Sequence, residues 1–258
     1  MLSANEILEG QRRIYSGSFY NVNRWRWFFR DDCRYRRRRL KAVFKEIDFD
    51  PNGKRIFDVG FGTGDLLLSF PETCSLYGAE LSAEAVEAIK NEPGIKKYPY
   101  SSFEVIPHSG ETPLPANKVD VVITSHVLEH VPDENAFLDR LCEALVPGGI
   151  MINFVPIESE GFDPKHIRTY TAESLALAMS FAGLEIIHAE SNYHICSGPL
   201  KWLDHPARHN WAHGSWLEGV RHFMLSPVPF ELTRGIEKML AALGVSPSQA
   251  MVIGRKKK

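Results

Sequence analysis

From residue 55 onward, short apolar runs alternate with amphipathic stretches. The runs fall near 56–59, 74–80, 102–106, 119–124, 150–155, 184–189 and 251–254. Between them the spacing predicts a helix beginning near Asp65, one capped by Ser82 and running through about Lys90, and one from Asp133 through about Leu145. A further helix is expected over 171–182, closed by Gly183. This alternation argues for an α/β fold, a mostly parallel sheet with helices on both faces. A ligand then belongs outside the carboxyl ends of the strands, near the topological switch point. The loops after Val59, Ala79 and Ile106 and the turn after Thr124 all follow strands, so they can gather at one edge.

Two stretches lie outside this alternation. Residues 196–248 read as an insertion before the last strand, a lid or contact surface. Residues 1–45 carry twelve basic and four acidic side chains, an excess of eight positive charges, interleaved with aromatics. The plain reading is an amphipathic helical lid over the main domain, residues 46–258. Trp25, Phe28, Phe29, Val43 and Phe44 would cover the active site, with the arginines in solvent over buried stems. The same segment could instead meet RNA, anionic lipid, or an acidic or phosphorylated partner.

Composition narrows the classes. The formal net charge of −2 makes the whole chain no polycation. Cys33, Cys74, Cys142 and Cys196 form no C-x-x-C pair, so no disulfide framework or zinc-finger spacing is expected, and a reduced cytoplasm suits the chain. No basic-then-apolar leader pattern occurs at the N-terminus. No apolar run approaches the roughly 18 residues of a membrane span.

The segment Arg55-Ile56-Phe57-Asp58-Val59-Gly60-Phe61-Gly62-Thr63-Gly64-Asp65 carries the most chemistry. Glycines at alternate positions let the chain turn sharply and let a ligand lie against the backbone. A phosphate loop would end in Gly-Lys-Ser/Thr, and none is present. The run G-x-G-x-G, with an acid two residues before the first glycine, resembles motif I of the class I S-adenosylmethionine (SAM) methyltransferases. Glu80 follows Asp58 by 22 residues, near the roughly 20 expected of an acid that accepts ribose hydroxyls. The stretch Ser125-His126-Val127-Leu128-Glu129-His130-Val131-Pro132-Asp133, with Val146-Pro147-Gly148-Gly149 after it, is similar to the small-molecule branch of that family. The resemblance covers roughly 55–195 and the last strand.

The resemblance implies a Rossmann-like, seven-stranded fold, SAM as cofactor, and methyl transfer to O or N of a small-molecule acceptor. It implies cofactor contacts from Asp58, Gly60, Phe61, Gly62, Gly64, Glu80, Leu81 and Ser125. The family's adenine-binding acid falls on His108, a departure that leaves Glu111 or the backbone of Ser109 and Gly110 for that task. Alternatives are an RNA or protein methyltransferase guided by the arginines, or a SAM-binding protein without catalysis. No Asn/Asp-Pro-Pro-Tyr/Phe motif follows the fourth strand, which disfavours a nucleic-acid base as acceptor.

A histidine has a reference pKa of about 6.5, suited to taking an acceptor's proton. His126 and His130 are therefore the expected catalytic groups, or else lining and backbone-satisfying ones. His166 and Tyr170 resemble the acceptor-bordering H-x-R-x-Y segment of related enzymes. His126-x-x-Glu129-His130 also matches the H-x-x-E-H string of certain zinc peptidases, a reading its context disfavours. In ubiquinone-biosynthesis O-methyltransferases the similar E-x-x-E-H positions bind a divalent metal, so a metal here stays open. His205, His209 and His213 form a second histidine face that could be metal-binding or solvated.

Overall fold

A computed structural model describes residues 9–10, 31–158, 166–197, 223–225 and 227–258. Trp25, Phe28 and Phe29, and the histidines at 205, 209 and 213, lie outside the described residues. Helix α1 spans Asp31–Glu46. Strand β1 (Arg55–Val59) and β2 (Ser75–Glu80) follow, then α2 (Ala83–Lys90), β3 (Tyr100–Val105) and β4 (Val119–Ser125). Next come α3 (Glu134–Ala144), β5 (Leu145–Pro156), α4 (Ala172–Phe181) and β6 (Leu184–Asn192). The short α5 (His194–Ser197), α6 (Phe230–Ala242) and β7 (Gln249–Lys256) close the chain.

The seven strands form one sheet in the order β3-β2-β1-β4-β5-β7-β6. β7 runs antiparallel to both its neighbours, and the pairs from β3 across to β5 are parallel. The expected mixed α/β sheet is therefore present. Its strands are buried on both sides: Ile56, Val121, Ile123 and Ile152 face a core with α1 and α2, while Phe57, Val122 and Met151 face one with α3 and α4. A residue-by-residue alternation between two apolar layers explains why these strands read as continuous apolar runs. Capping is as the side chains dictate: Ser82 accepts from Ala85 N, Asp133 from Ala136 N, and Thr171 and Ser174 form a reciprocal box.

One expected helix is absent. After Gly64 the chain makes only a 3₁₀ turn over Leu67–Ser69. Pro71 follows at once and β2 begins at Ser75, so a full helix has no room to propagate.

The basic N-terminal segment also differs from its expectation where it is described. Val43 and Phe44 are buried in the core beside Phe70 and Leu76 rather than laid over a site edge. The arginines do not stay in solvent. Arg36 reaches Cys33 Sγ and Asp32; Arg37 pairs with Asp65 at 2.7 Å; Arg38 donates to the Val228 carbonyl. Arg39 binds Glu190 and Glu46 together, at 2.6–3.1 Å, and Arg234 of α6 adds a bond to Glu46. Four consecutive arginines are thus committed inside the fold, joining α1 to β6, α6 and the motif I turn. A third apolar cluster of Tyr35, Tyr193, Ile195 and Leu240 seals the same junction. There the Glu237 carboxylate accepts from His194 N and Ile195 N at the start of α5. No helix among the described residues is long and apolar enough to cross a membrane.

Burial alone would raise the Glu190 carboxyl, but His188, Arg39 and Asn192 outweigh it and hold it at about 2. A depressed carboxylate stabilises the fold above its unfolded pKa of about 4.3 and loses that contribution as pH falls toward the folded value. Glu190→Gln, which leaves the buried Arg39 with one partner fewer, should therefore cost about 3 kcal/mol at pH 7. In paired thermal melts the gap to the unaltered protein should close between about pH 4.5 and pH 2.

Candidate active site

β1 and β4 are neighbours whose connections leave in opposite directions, so the crevice between their carboxyl ends is the switch point of the sheet. Gly60 turns there with φ of 72°, and a Cβ on it would lie 2.3 Å from Val127 Cγ2 in the turn after β4. Only a glycine lets these two turns touch. Gly60 N donates to Ala79 O at 2.7 Å and Gly64 N to Phe61 O at 2.8 Å. Gly62 N donates to Glu80 Oε2 at 2.8 Å, while Glu80 Oε1 accepts from Leu81 N at 2.6 Å and Ser82 N at 3.3 Å. One buried carboxylate therefore holds the first turn against the second. Burial raises Glu80 despite these three donors, and Oε2, which accepts only from Gly62, keeps a lone pair for a further donor. Asp58 is 2 % exposed, and its Oδ1 has no hydrogen-bond partner. Burial, with Asp65 and Glu80 nearby, holds its carboxyl well above the usual range. A buried, unpaired acid costs free energy unless a cation or donor meets it. The φ of Gly62 is 55°, yet its Cβ position meets nothing within 4 Å, so the space over the turn is open.

A second group of side chains gathers beyond β4. His126 adopts a left-handed φ of 59°, an uncommon conformation for a side-chain-bearing residue and one found at strained functional turns. Its N–H donates to Phe154 O at 2.9 Å, and its Nε2 is buried without a partner. Its Nδ1 lies 3.6 Å from Glu129 Oε1. The side chain is 37 % exposed, but its Nε2 is buried, and that desolvation with the nearby Arg36 pushes the imidazole below its ordinary value. Glu129 is 1 % exposed, with both carboxylate oxygens unpartnered. Burial pushes it up to about 8. The His130 ring meets the His166 ring edge-on at 4.8 Å between centroids, and His166 Nδ1 contacts Glu158 Oε1. One ligand atom each from Glu129, His130 and His166 lie within 4.8 Å of one another. Arg168 donates to the carbonyls of Leu128, Val131 and Pro132, and Ile167 N donates to Glu129 O, so the H-x-R segment clamps this turn in place.

The methyltransferase domain family matches residues 29–189, more than half of the chain. The chain belongs to this family. It is a SAM-dependent methyltransferase of class I, with SAM as methyl donor. Among curated relatives, a protein of Mycolicibacterium smegmatis named a "probable S-adenosylmethionine-dependent methyltransferase" is 27 % identical over 75 % of this chain and 74 % of its own length. A ubiquinone biosynthesis O-methyltransferase of Chelativorans is 34 % identical over 38 % of this chain and 39 % of its own length. Solved structures share the fold. The Haemonchus contortus phosphoethanolamine N-methyltransferase 2 has a TM-score of 0.56 at 17 % identity, covering 86 % of this chain and 53 % of that one. The [4+2]-cyclase SpnF has a TM-score of 0.55 at 20 % identity, covering 86 % and 80 %.

The enzyme's sequence-expected residues divide by position. Asp58, Gly60, Gly62, Gly64, Glu80, Leu81 and Ser125 lie at the carboxyl ends of β1, β2 and β4. Phe61 points its ring into the core, 5.6 Å from Phe103, so only its backbone is available to a ligand. Ser109 is exposed, the Gly110 N–H is committed to Pro107 O, and His108 faces outward to Glu9 at 3.1 Å. Glu111 pairs with Arg140 at 2.9 Å. Tyr170 is buried, and its hydroxyl meets Glu134 of α3 rather than the histidine group. Sequence reasoning gave no role to Arg36, which an arginine run conceals, or to Glu158, which no motif marks. Glu129 was already marked by the H-x-x-E-H spacing as part of an open metal reading.

A Cβ at position 62 would meet nothing within 4 Å, so the substitution costs only the strain of a side chain at a φ of 55°, about 1–2 kcal/mol. Gly62→Arg should keep the melting temperature within a few degrees and lower affinity for S-adenosylhomocysteine by at least about 100-fold, an effect near 2.7 kcal/mol. Calorimetric titration of the product measures this directly.

Proposed function

We propose that the enzyme methylates a hydroxyl oxygen of a small-molecule acceptor and that His126 takes the hydroxyl proton. The carrying observation is the buried, unpartnered Nε2 of His126, held in a left-handed turn at the tip of β4. That turn abuts Gly60, on the edge where a bound cofactor would lie. When bound, SAM supplies a methyl group already activated by its sulfonium charge. Glu80 would receive the ribose hydroxyls and Asp58 would offer negative charge toward the cationic end. His126 would accept the acceptor's hydroxyl proton through Nε2 as the methyl group passes to that oxygen. His130 and His166 line the acceptor side, with Glu158 orienting His166. Relatives named as ubiquinone biosynthesis O-methyltransferases support oxygen as the methylated atom. The internal pairing of Arg36 to Arg39 counts against a nucleic-acid platform built from those side chains.

Proton transfer by a placed side chain contributes about 10²- to 10⁴-fold. His126→Ala should therefore lower turnover of a phenolic acceptor by that factor in an assay of S-adenosylhomocysteine release, with product affinity unchanged. Unaltered turnover would remove His126 from the reaction.

A second reading rests on Glu129, His130 and His166. One carboxylate and two imidazoles suit a divalent transition metal, and a cation would satisfy the two unpartnered Glu129 oxygens. Elemental analysis should then find about one such metal per chain, lost in Glu129→Gln. Metal-free protein that turns over fully would dismiss this version.

A further inference from the structure

The motif I loop lacks the support that a long following helix would give it. After Gly64 the chain makes only the 3₁₀ turn over Leu67–Ser69, and Pro71 comes next. Separate ties hold the loop instead. Gly62 N is held by Glu80 at the end of β2, and Gly64 N by Phe61 O within the loop. The trailing end is held from α1, where Arg37 Nη1 donates to Asp65 Oδ2 at 2.7 Å across 28 positions of the chain.

The surroundings of this pair give it leverage. The two side chains are only 13 % and 18 % exposed, so water and salt screen them less than a surface pair. Helix α1 is itself fixed, by Val43 and Phe44 in the core and by Arg39 on Glu190 at 2.6 Å. Arg37 therefore reaches from an anchored element onto the residue that follows the last glycine of the motif. The electrostatics act in the same sense. Asp65 is one of the charges that raise the buried Asp58 carboxyl, and the Arg37 guanidinium offsets that charge at close range.

We infer that Arg37 is a positioning residue for the cofactor: through Asp65 it holds the motif I loop in the shape that S-adenosylmethionine meets. Without the bridge the trailing end of the loop is released, and part of the binding free energy goes into ordering it. This role belongs to the donor side and stands whichever acceptor is methylated.

Calorimetric titration with S-adenosylhomocysteine, paired with amide hydrogen exchange of the cofactor-free protein, tests it. Arg37→Gln should weaken the product at least tenfold, and Arg37→Lys, which keeps the charge, should recover most of that loss. Asp65→Asn should also weaken it. The double variant Arg37→Gln/Asp65→Asn should lose far less than the product of the two single effects, because both remove one bridge. Exchange at Gly62 and Gly64 should quicken at least tenfold in Arg37→Gln while β5 and β7 keep their protection. Arg38→Gln removes a bond from the same helix to Val228 O and should leave both readouts unchanged. Unaltered product affinity in Arg37→Gln, losses that multiply in the double variant, or an equal loss in Arg38→Gln would each overturn the inference.

Discussion

The contact between two turns at the switch point sets the rest of this molecule. Gly60 and Val127 approach so closely that a single methyl group between them would clash. That approach places the motif I loop beside the turn carrying His126, Glu129 and His130. Glu80 then completes the arrangement from the other side, taking Gly62, Leu81 and Ser82 N–H groups on one buried carboxylate. The cofactor edge is thus held by hydrogen bonds between loops, not by the end of a long helix. This accounts for the short 3₁₀ turn after Gly64 without loss of a shaped site.

Helix α1 is the second organising element. Arg36 to Arg39 carry charge into the protein, where each is matched by an acid, a carbonyl or a thiol. Arg39 alone joins α1 to β6 through Glu190 and to α6 through Glu46 and Arg234. Buried pairs of this sort are costly to break because the remaining charge is stranded. The segment before the sheet is therefore part of the domain's framework, and Arg37 ties it to Asp65 in the motif I turn.

The strand pattern, the caps at Ser82, Asp133 and Thr171, and the close of α4 at Gly183 were legible because each depends on neighbours within a few residues. The glycines of motif I and the acids Asp58 and Glu80 were legible for the same reason: their spacing along the chain is itself the constraint. Glu158 and Arg36 were not, since their bearing on the site comes from His166 and from His126, eight or more residues away in chain order. The arginine run was misread in its surroundings because a sequence shows charge without its counter-charge. Phe61 was placed correctly in the turn, yet its ring belongs to the core against Phe103.

By itself, then, the sequence determined the class of fold, the family and the donor. Backbone freedom at glycine, short-range capping and apolar periodicity are local properties, and they suffice to specify a mostly parallel sheet with a cofactor edge. Only the tertiary structure decided which charges are internal and which imidazole nitrogen is left without a partner. It alone decided that α1 is tied to β6 and to the motif I turn. Those outcomes rest on burial and on long-range pairing, where the cost of an unmatched polar group depends on what the whole fold brings beside it.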